Sequence, residues 1–518
     1  MDLGSILANL QLGLQACLLI KWIPDLFFGV LIPIPINLFW CLMGAVIGTA
    51  IGVLPGIGPV ATMALLLPVT YFLTPEGALI MLAGIYYGSQ YGGSTTAILV
   101  NLPGEASSVV TALDGYQMAR QGRAGPALAI AALGSFFAGT VATFAIVLAA
   151  PPLTKLAQQF TPADYCSLMI LGLVFAIVLA RGSVINAIGA IFLGMLLGLV
   201  GTDVNTGNAR FTFGIQDLFD GIGFVPVAMG VFGIAEIIAN LTNVDRRDLV
   251  SSKVSGLWPT REDFRRSIAP VLRGTFLGGL LGILPGGGAI LASFSSYSVE
   301  KKLSKTPEKF GTGMIEGVAG PESANNAAAQ TSFIPMLTLG IPSNAVMAMM
   351  IGGMMVHGIV PGPQIMEQKP GLFWGMIVSM WIGNLMLVVL NLPLIGIWVR
   401  MLLVPYRLLA IAILFFCCIG VYSLNNSANE VLIIAIFGLF GYVLIRLGCE
   451  PAPLLMGFLL GPMMEVYMRR AMLISRGDPW VFVLSPLSAM FLLIAALMLL
   501  FILLPNIRKS REKAFQEA

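Results

Sequence analysis

Charge is what this chain has least of. Asp, Glu, Lys and Arg make up 10% of its 518 residues, against about 25% in soluble domains. Histidine occurs once, which excludes a His-cluster metal site, and as His357 it falls near an expected outer helix end, where it reads as an interfacial residue and not as the base of a nucleophile triad. No Gly-x4-Gly-Lys-Ser/Thr loop exists, which excludes that mode of nucleotide binding. The six cysteines (Cys17, Cys41, Cys166, Cys417, Cys418, Cys449) lie in or beside apolar runs without metal-type spacing and read as reduced packing residues. A net charge of +3 gives no reason to expect a nucleic-acid partner. The N-terminus has neither a basic leader nor a small-residue cleavage site, so no removable signal peptide is expected.

What is abundant is apolar sequence, 57% of the chain. At about 20 residues per crossing it accommodates about ten to twelve spans. The expected fold is an all-α polytopic membrane protein. Its runs are interrupted twice in the same way: Gly52-Val-Leu-Pro-Gly-Ile-Gly-Pro59 is echoed by Gly282-Ile-Leu-Pro-Gly-Gly-Gly-Ala289, 230 residues later. Asn101-Leu-Pro-Gly-Glu-Ala-Ser107 is echoed 239 residues later around Gly340-Ile-Pro-Ser-Asn344, and Pro226-Val-Ala-Met-Gly230 by Pro453-Leu-Leu-Met-Gly457. Three matches in one order indicate an internal duplication. The expected organisation is an apolar segment of open topology at 1–36, a first repeat at 37–242, a cytoplasmic linker at 243–272, a second repeat at 273–470, and a final span with a basic tail at 471–518.

Basic residues set the orientation. Seven of the 28 fall between Asn243 and Arg273, and Arg508, Lys509, Arg511 and Lys513 follow in the tail. Both segments are expected in the cytoplasm by the positive-inside rule. Arg469, Arg470 and Arg476 then fall on the outer face, against that rule. Between Arg273 and Lys301 there is room only for two half-depth helices around Pro285-Gly-Gly-Gly288, a re-entrant hairpin. A similar hairpin runs from Asn37 to Phe72 with its tip at Pro55 to Gly58. Its flanks carry no basic residue, so the two repeats are expected to be inverted. Thr74-Pro75-Glu76 supplies an N-cap, an N1 proline and an acidic first turn for the next helix.

Broken helices survive in hydrocarbon only where protein or a polar cavity surrounds them, and such breaks in paired repeats point to a secondary transporter. The helix resuming after each break offers free N–H groups and a positive dipole end, suited to carboxylates. The expected substrate-binding residues are Gly56, Gly58, Ser94, Thr95, Pro103, Gly104 and Ser107 in the first repeat. In the second they are Gly286, Gly288, Asn325, Asn326, Ser343 and Asn344, with Gly56 and Gly286 the least replaceable. The alternative role for such Gly, Ser and Thr residues is close helix packing. No Lys or Arg occurs in 52–59, 86–115, 282–298 or 320–348. A bound anion there needs co-bound cations, and a hard ion such as Na⁺ prefers oxygen ligands. Sodium is expected near Pro55, Gly56, Asn101, Pro285, Gly286, Ser332 and Gly340. Proton coupling needs a carboxyl instead: Glu322 is the possible carrier, while Glu105 reads as a helix cap and His357 as an interfacial residue.

These motifs resemble the large membrane subunit of the tripartite tricarboxylate transporters. The residues that carry the resemblance are 52–62, Tyr87-Gly-Ser-Gln-Tyr-Gly-Gly-Ser94, Asn101 to Glu105, Leu284 to Ala289, Gly320-Pro-Glu-Ser-Ala-Asn-Asn-Ala-Ala-Ala-Gln330 and Gly340 to Ser343, within about 38–505. The resemblance implies a bacterial inner-membrane importer of citrate-like carboxylates, not an enzyme, working with a small membrane subunit and a periplasmic substrate-binding protein. Alternatives are another organic acid, dicarboxylate or aromatic, on the same fold, or, outside transport, an intramembrane enzyme or an assembly scaffold. The motion expected is elevator-like, both hairpins and broken helices sliding against the remaining spans; rocking of one half against the other uses the same repeats.

Overall fold

The computed structural model describes residues 3–24, 31–54, 58–180, 183–203, 205–242, 256–284, 288–402 and 406–503. The hairpin-tip residues Pro55, Gly56, Pro285 and Gly286, the first part of the expected linker and the basic tail from 504 lie outside them. Strand is confined, among the described residues, to two short antiparallel pairs, Ile20–Pro24 with Leu31–Pro35 and Gly201–Thr202 with Ala209–Arg210. Everything else of length is helix. Five helices are long and apolar enough to cross a bilayer among those residues: Ile36–Val53, Ala124–Ala157, Phe224–Leu241, Pro370–Asn391 and Ala428–Arg446. Apolar stripes face outward, such as Leu432, Ile436, Leu439 and Val443 on one face of Ala428–Arg446. A stripe of that size suits lipid rather than water. The chain is an all-α polytopic membrane protein.

One succession of elements occurs twice. Helices Ile36–Val53 and Pro59–Tyr71 form a hairpin, followed by Pro75–Val100, a break, and Val109–Arg120. Helices Arg261–Gly282 and Gly288–Leu303 form the second hairpin, followed by Glu316–Thr331 with Phe333–Leu339, a break, and Ala345–Val356. In both, the first hairpin arm lies along the helix that precedes the break. Glycines at four-residue spacing allow it. Backbone of Gly44, Gly48 and Gly52 rests on the carbonyls of Met81, Ile85 and Ser89, and Gly274, Gly278 and Gly282 rest on those of Gly320, Ala324 and Ala328. Arms advance by 230 residues and their partners by 239, the two offsets already present in the motifs. A stripe of small residues lets two backbones touch where no hydrophobic force drives helices together.

The second hairpin differs from its expected form. Its first arm begins at Arg261, well before Arg273, so the boundary placed after residue 272 falls inside a 22-residue helix of about 33 Å. The cause is a capping box: Thr260 and Asp263 each accept the other's backbone N–H at 3.1 Å. Arg273 pairs bidentately with Glu300 on the returning arm at 2.8 and 2.5 Å, stapling the hairpin. The N-terminal segment, of open topology in the sequence, has a helix packed against one of the long spans. Helix Leu3–Cys17 packs on Pro370–Asn391, and the Cys17 thiol donates to the Gly375 carbonyl at 3.1 Å. Arg469, expected to break the positive-inside pattern, meets Glu465 at 2.6 Å and Asp203 at 3.1 Å, and Arg210 joins the same two carboxylates. Two arginines against two acids leave no net charge there. The boundary expected after residue 470 falls inside Pro451–Ile474.

Candidate functional site between the two broken helices

The two helices that break are the most deeply buried in the molecule, and they are polar. Every residue from Gly77 to Val100 and from Gly317 to Thr331 is buried. Surrounding helices carry the exposed apolar residues, and the two broken helices meet where Ser94 of the first donates to Glu322 of the second at 2.5 Å. Thr74 caps the first as expected, accepting from Gly77 N at 3.3 Å.

Each break has the same local cause. Asn101 (φ 59°, ψ 26°) and Gly340 (φ 73°, ψ 22°) end their helices in the left-handed conformation, and a proline two residues on prevents continuation. The chain then re-enters a helix. Asn344 caps Ala345–Val356 by accepting from Met347 N at 2.9 Å, and its amide donates to the Tyr86 hydroxyl at 3.2 Å. Glu105 occupies the matching place in the first repeat, but its side chain makes no cap hydrogen bond. It accepts from Ser89 Oγ at 3.2 Å instead.

The repeats interlock across these breaks. Returning arm Pro59–Tyr71 packs on Ala345–Val356, the helix after the second break, and returning arm Gly288–Leu303 packs on the turn Ala106–Ser108 after the first. Helix Ala124–Ala157 lies on Glu316–Thr331, while Pro370–Asn391 lies on Pro75–Val100. Each hairpin is thus next to the other repeat's break.

Glu322 sits where the two broken helices meet and is fully buried. It accepts from Ser94 Oγ at 2.5 Å, from Thr111 Oγ1, and from Asn325 Nδ2 at 3.4 Å. Ser94 and Thr111 belong to the first repeat, so one carboxyl ties both together. Among the described residues no basic side chain bonds to it. Asn326 donates to Ser135 Oγ and to Asn325 Oδ1, both at 2.7 Å. Asp114, the other buried acid here, is anchored differently: its Oδ1 accepts the backbone N–H groups of Gly311, Gly313 and Met314 at 2.8–2.9 Å, and its Oδ2 accepts from the Tyr297 hydroxyl at 3.0 Å. It holds the loop that leads into the second broken helix.

The expected site residues separate into groups. Ser94, Thr95, Asn325 and Asn326 come together around Glu322 and are all buried. Ser107 faces Gln90, donating to Oε1 at 2.8 Å and leaving Gln90 Nε2 without a partner. Ser343 donates to the Ser332 carbonyl at 3.2 Å, and Ser332 to that of Ala329 at 2.7 Å. Gly104 is a packing glycine: a Cβ there would collide with the Gly52 carbonyl and meet Gly93 Cα at 2.9 Å. Gly58 and Gly288 have room, the first with nothing within 4 Å and the second with only Gly282 at 3.6 Å. Pro103 is half-buried and Asn101 exposed. His357 follows the last turn of Ala345–Val356.

Four polar residues of this region escape a motif search. Thr111 bonds Glu322, Ser135 bonds Asn326, Asn384 accepts from the Tyr91 hydroxyl at 2.6 Å, and Asn391 donates to the Leu387 carbonyl at 3.0 Å. Asn384 and Asn391 are seven residues apart, on one face of an otherwise apolar span. That spacing was the available signal.

Residues 38–456 match the profile of the tripartite tricarboxylate transporter TctA family. The chain belongs to that family. It is accordingly a membrane component of a transport system, in a family that works with a small membrane subunit and a periplasmic binding protein. An "uncharacterized 52.8 kDa protein in TAR-I ttuC' 3'region" of Agrobacterium vitis is 57% identical over 513 residues, covering 99% of both chains. An "uncharacterized protein in TAR-II ttuC' 3'region" of the same organism is 61% identical over 240 residues, 46% of this chain and 99% of its own length. No solved structure matches the chain significantly.

Proposed function

We propose that this chain is the permease subunit of a cation-coupled secondary importer for tricarboxylates or related carboxylate anions. Its partners on this reading are the small membrane subunit and a periplasmic substrate-binding protein, in the bacterial inner membrane with the C-terminus cytoplasmic. The observation that supports it most is the reciprocal placing of each hairpin beside the other repeat's break, with polar helices buried between them. A carboxylate held there meets the start of a resumed helix, whose free N–H groups favour an anion. Inverted repeats would bring the two hairpins in from opposite faces, each gating one side, and the interlocked hairpins and broken helices would slide as one elevator-like unit. Vesicles carrying this subunit and both partners are expected to accumulate labelled citrate or another di-, tri- or aromatic carboxylate; no uptake of any of them under any ion gradient removes the reading.

Sodium is the coupling ion on this reading, because the polar interior has no lysine or arginine to balance an anion. Replacing Na⁺ by choline at fixed pH is expected to stop uptake. A second reading is favoured by the burial of Glu322 without a basic partner: the carboxyl carries a proton. Uptake that survives choline and follows the pH gradient would select it. On either reading Glu322→Gln is expected to reach the membrane in normal amount, since the amide oxygen still accepts from one of Ser94 and Thr111 and the NH2 can donate to the hydroxyl of the other, yet to lose most of its coupled uptake. Normal coupled uptake by that variant would take Glu322 out of the mechanism.

A further inference from the structure

Next to Ser94 and Ser135, which both touch Glu322, lies a small cavity of ≈ 10 Å³, room for about one water or one bare ion. It is bounded by the first broken helix (Tyr91, Ser94, Thr95), by Ser135 and three small or apolar neighbours on Ala124–Ala157, and by Asn391 at the end of Pro370–Asn391. Three elements therefore meet at a space walled on one side by oxygen. Asn391 is 4% exposed, and its Oδ1 has no hydrogen-bond partner. Its orientation is not arbitrary. The amide nitrogen donates to the Leu387 carbonyl, which can only accept, so the unpartnered atom is the oxygen. Ser94 Oγ and Ser135 Oγ both touch Glu322, the first at its carboxylate at 2.5 Å and the second at its carbonyl at 3.4 Å.

We propose that this cavity is a binding site for one dehydrated monovalent cation, Na⁺ before others, held by oxygens of Ser94, Thr95, Ser135 and Asn391 with Glu322 as its counter-charge. A buried carboxyl away from any basic residue is neutralised either by a proton or by a compensating charge, and on the cation-coupled reading the charge is a bound cation. Oxygen ligands alone suit a hard cation. A water would fit the volume and satisfy Asn391, but it would leave the carboxylate uncompensated. Asn101, Ser332 and Gly340, near which the motifs place sodium, are not among its lining, and it lies on the seam between the first broken helix and the long spans beside it. Filling it would join those two parts, so cation binding would control their relative movement. The inference rests on the cation-coupled reading above.

The test is the unfolding midpoint of the full chain in lipid nanodiscs, with NaCl replaced by choline chloride at constant ionic strength. Na⁺ is expected to raise the midpoint saturably and choline not at all. Asn391→Leu and Ser135→Ala are each expected to weaken the apparent Na⁺ affinity at least tenfold, while Gln158→Ala, on the exposed surface against Glu367, leaves it unchanged. If Asn391→Leu does not fold, Ser135→Ala decides, because it removes a single oxygen. No Na⁺-specific shift in the parent chain, which is the result for a water-filled cavity, overturns the proposal; so does a shift that both variants keep. Uptake separates this from the function: a Na⁺ shift without carboxylate uptake would refute the transport reading alone, and Na⁺-driven uptake unaltered in both variants would refute the site alone.

Discussion

Gly278→Ala is expected to destabilise the second hairpin by about 1–3 kcal/mol or more, and Gly279→Ala, one residue along, to stabilise it by up to about 1 kcal/mol. On an isolated helix both would stabilise, since alanine exceeds glycine in helix propensity by about 0.8–1 kcal/mol. Packing reverses the sign at one position only. A Cβ on Gly278 would fall against the carbonyl of Ala324, with that carbonyl's carbon at 2.8 Å, whereas a Cβ on Gly279 meets nothing within 4 Å. The obstacle is backbone, which has no rotamer to move to. Relief therefore requires the hairpin arm to part from the broken helix along the whole Gly274, Gly278, Gly282 stripe. Gly48→Ala should behave like Gly278→Ala, because its Cβ would lie 2.5 Å from the Ile85 carbonyl oxygen. Unfolding midpoints and the amount of protein recovered from membranes are the readouts. A Gly278→Ala variant as stable as Gly279→Ala would mean that the arm and the broken helix do not touch at this register.

Asp114→Ala is the second large effect expected. Its carboxylate takes three backbone N–H groups from the loop at 311–314 and the Tyr297 hydroxyl, while being fully buried itself. Deleting it orphans four donors, and each buried group left unsatisfied costs about 1–3 kcal/mol, so a loss of at least about 3 kcal/mol follows. Asp114→Asn should recover part of this, because the amide oxygen can replace Oδ1 as the acceptor of the three N–H groups. The loop leads directly into the helix that carries Glu322. Asp114→Ala protein that still folds should therefore show faster hydrogen exchange at 311–318 and reduced uptake. Unchanged exchange there would show that the loop is held by something other than this side chain.

Both predictions depend on features that the sequence displays unevenly. Spans, hairpins and breaks were legible, because each rests on local chemistry: Pro-Gly ends an apolar run, Thr74-Pro75-Glu76 starts a helix, and a proline after Asn101 or Gly340 forbids its continuation. The start of the second hairpin was misplaced for a local reason as well. The capping box at Thr260 starts the helix twelve residues before Arg273, and Arg273 itself pairs with Glu300 on the returning arm. Glu105 was read as a cap from its position after a proline, but Ser89 lies close enough to take the carboxylate. Thr111, Ser135 and Asn391 gave little sign of a role, because each is a single polar residue within a helix and its partners are distant in the chain.

Hydropathy and periodicity by themselves determined that the chain is a helical membrane protein, and its recurring offsets of 230 and 239 residues determined that one arrangement of elements occurs twice. These are properties of segments, and segment chemistry is local. Only the tertiary structure decided that the two broken helices, with their Ser, Thr, Asn and Gln residues, are buried along nearly their whole length, since burial depends on what surrounds a helix and not on its own composition. It also decided that Glu322 in one repeat is met by Ser94 and Thr111 from the other, and that a small oxygen-lined space lies next to them with Asn391 on its wall. Those contacts join residues more than 200 positions apart. No spacing rule reaches that far, because the distance between such residues is set by how helices cross and not by the chain that connects them.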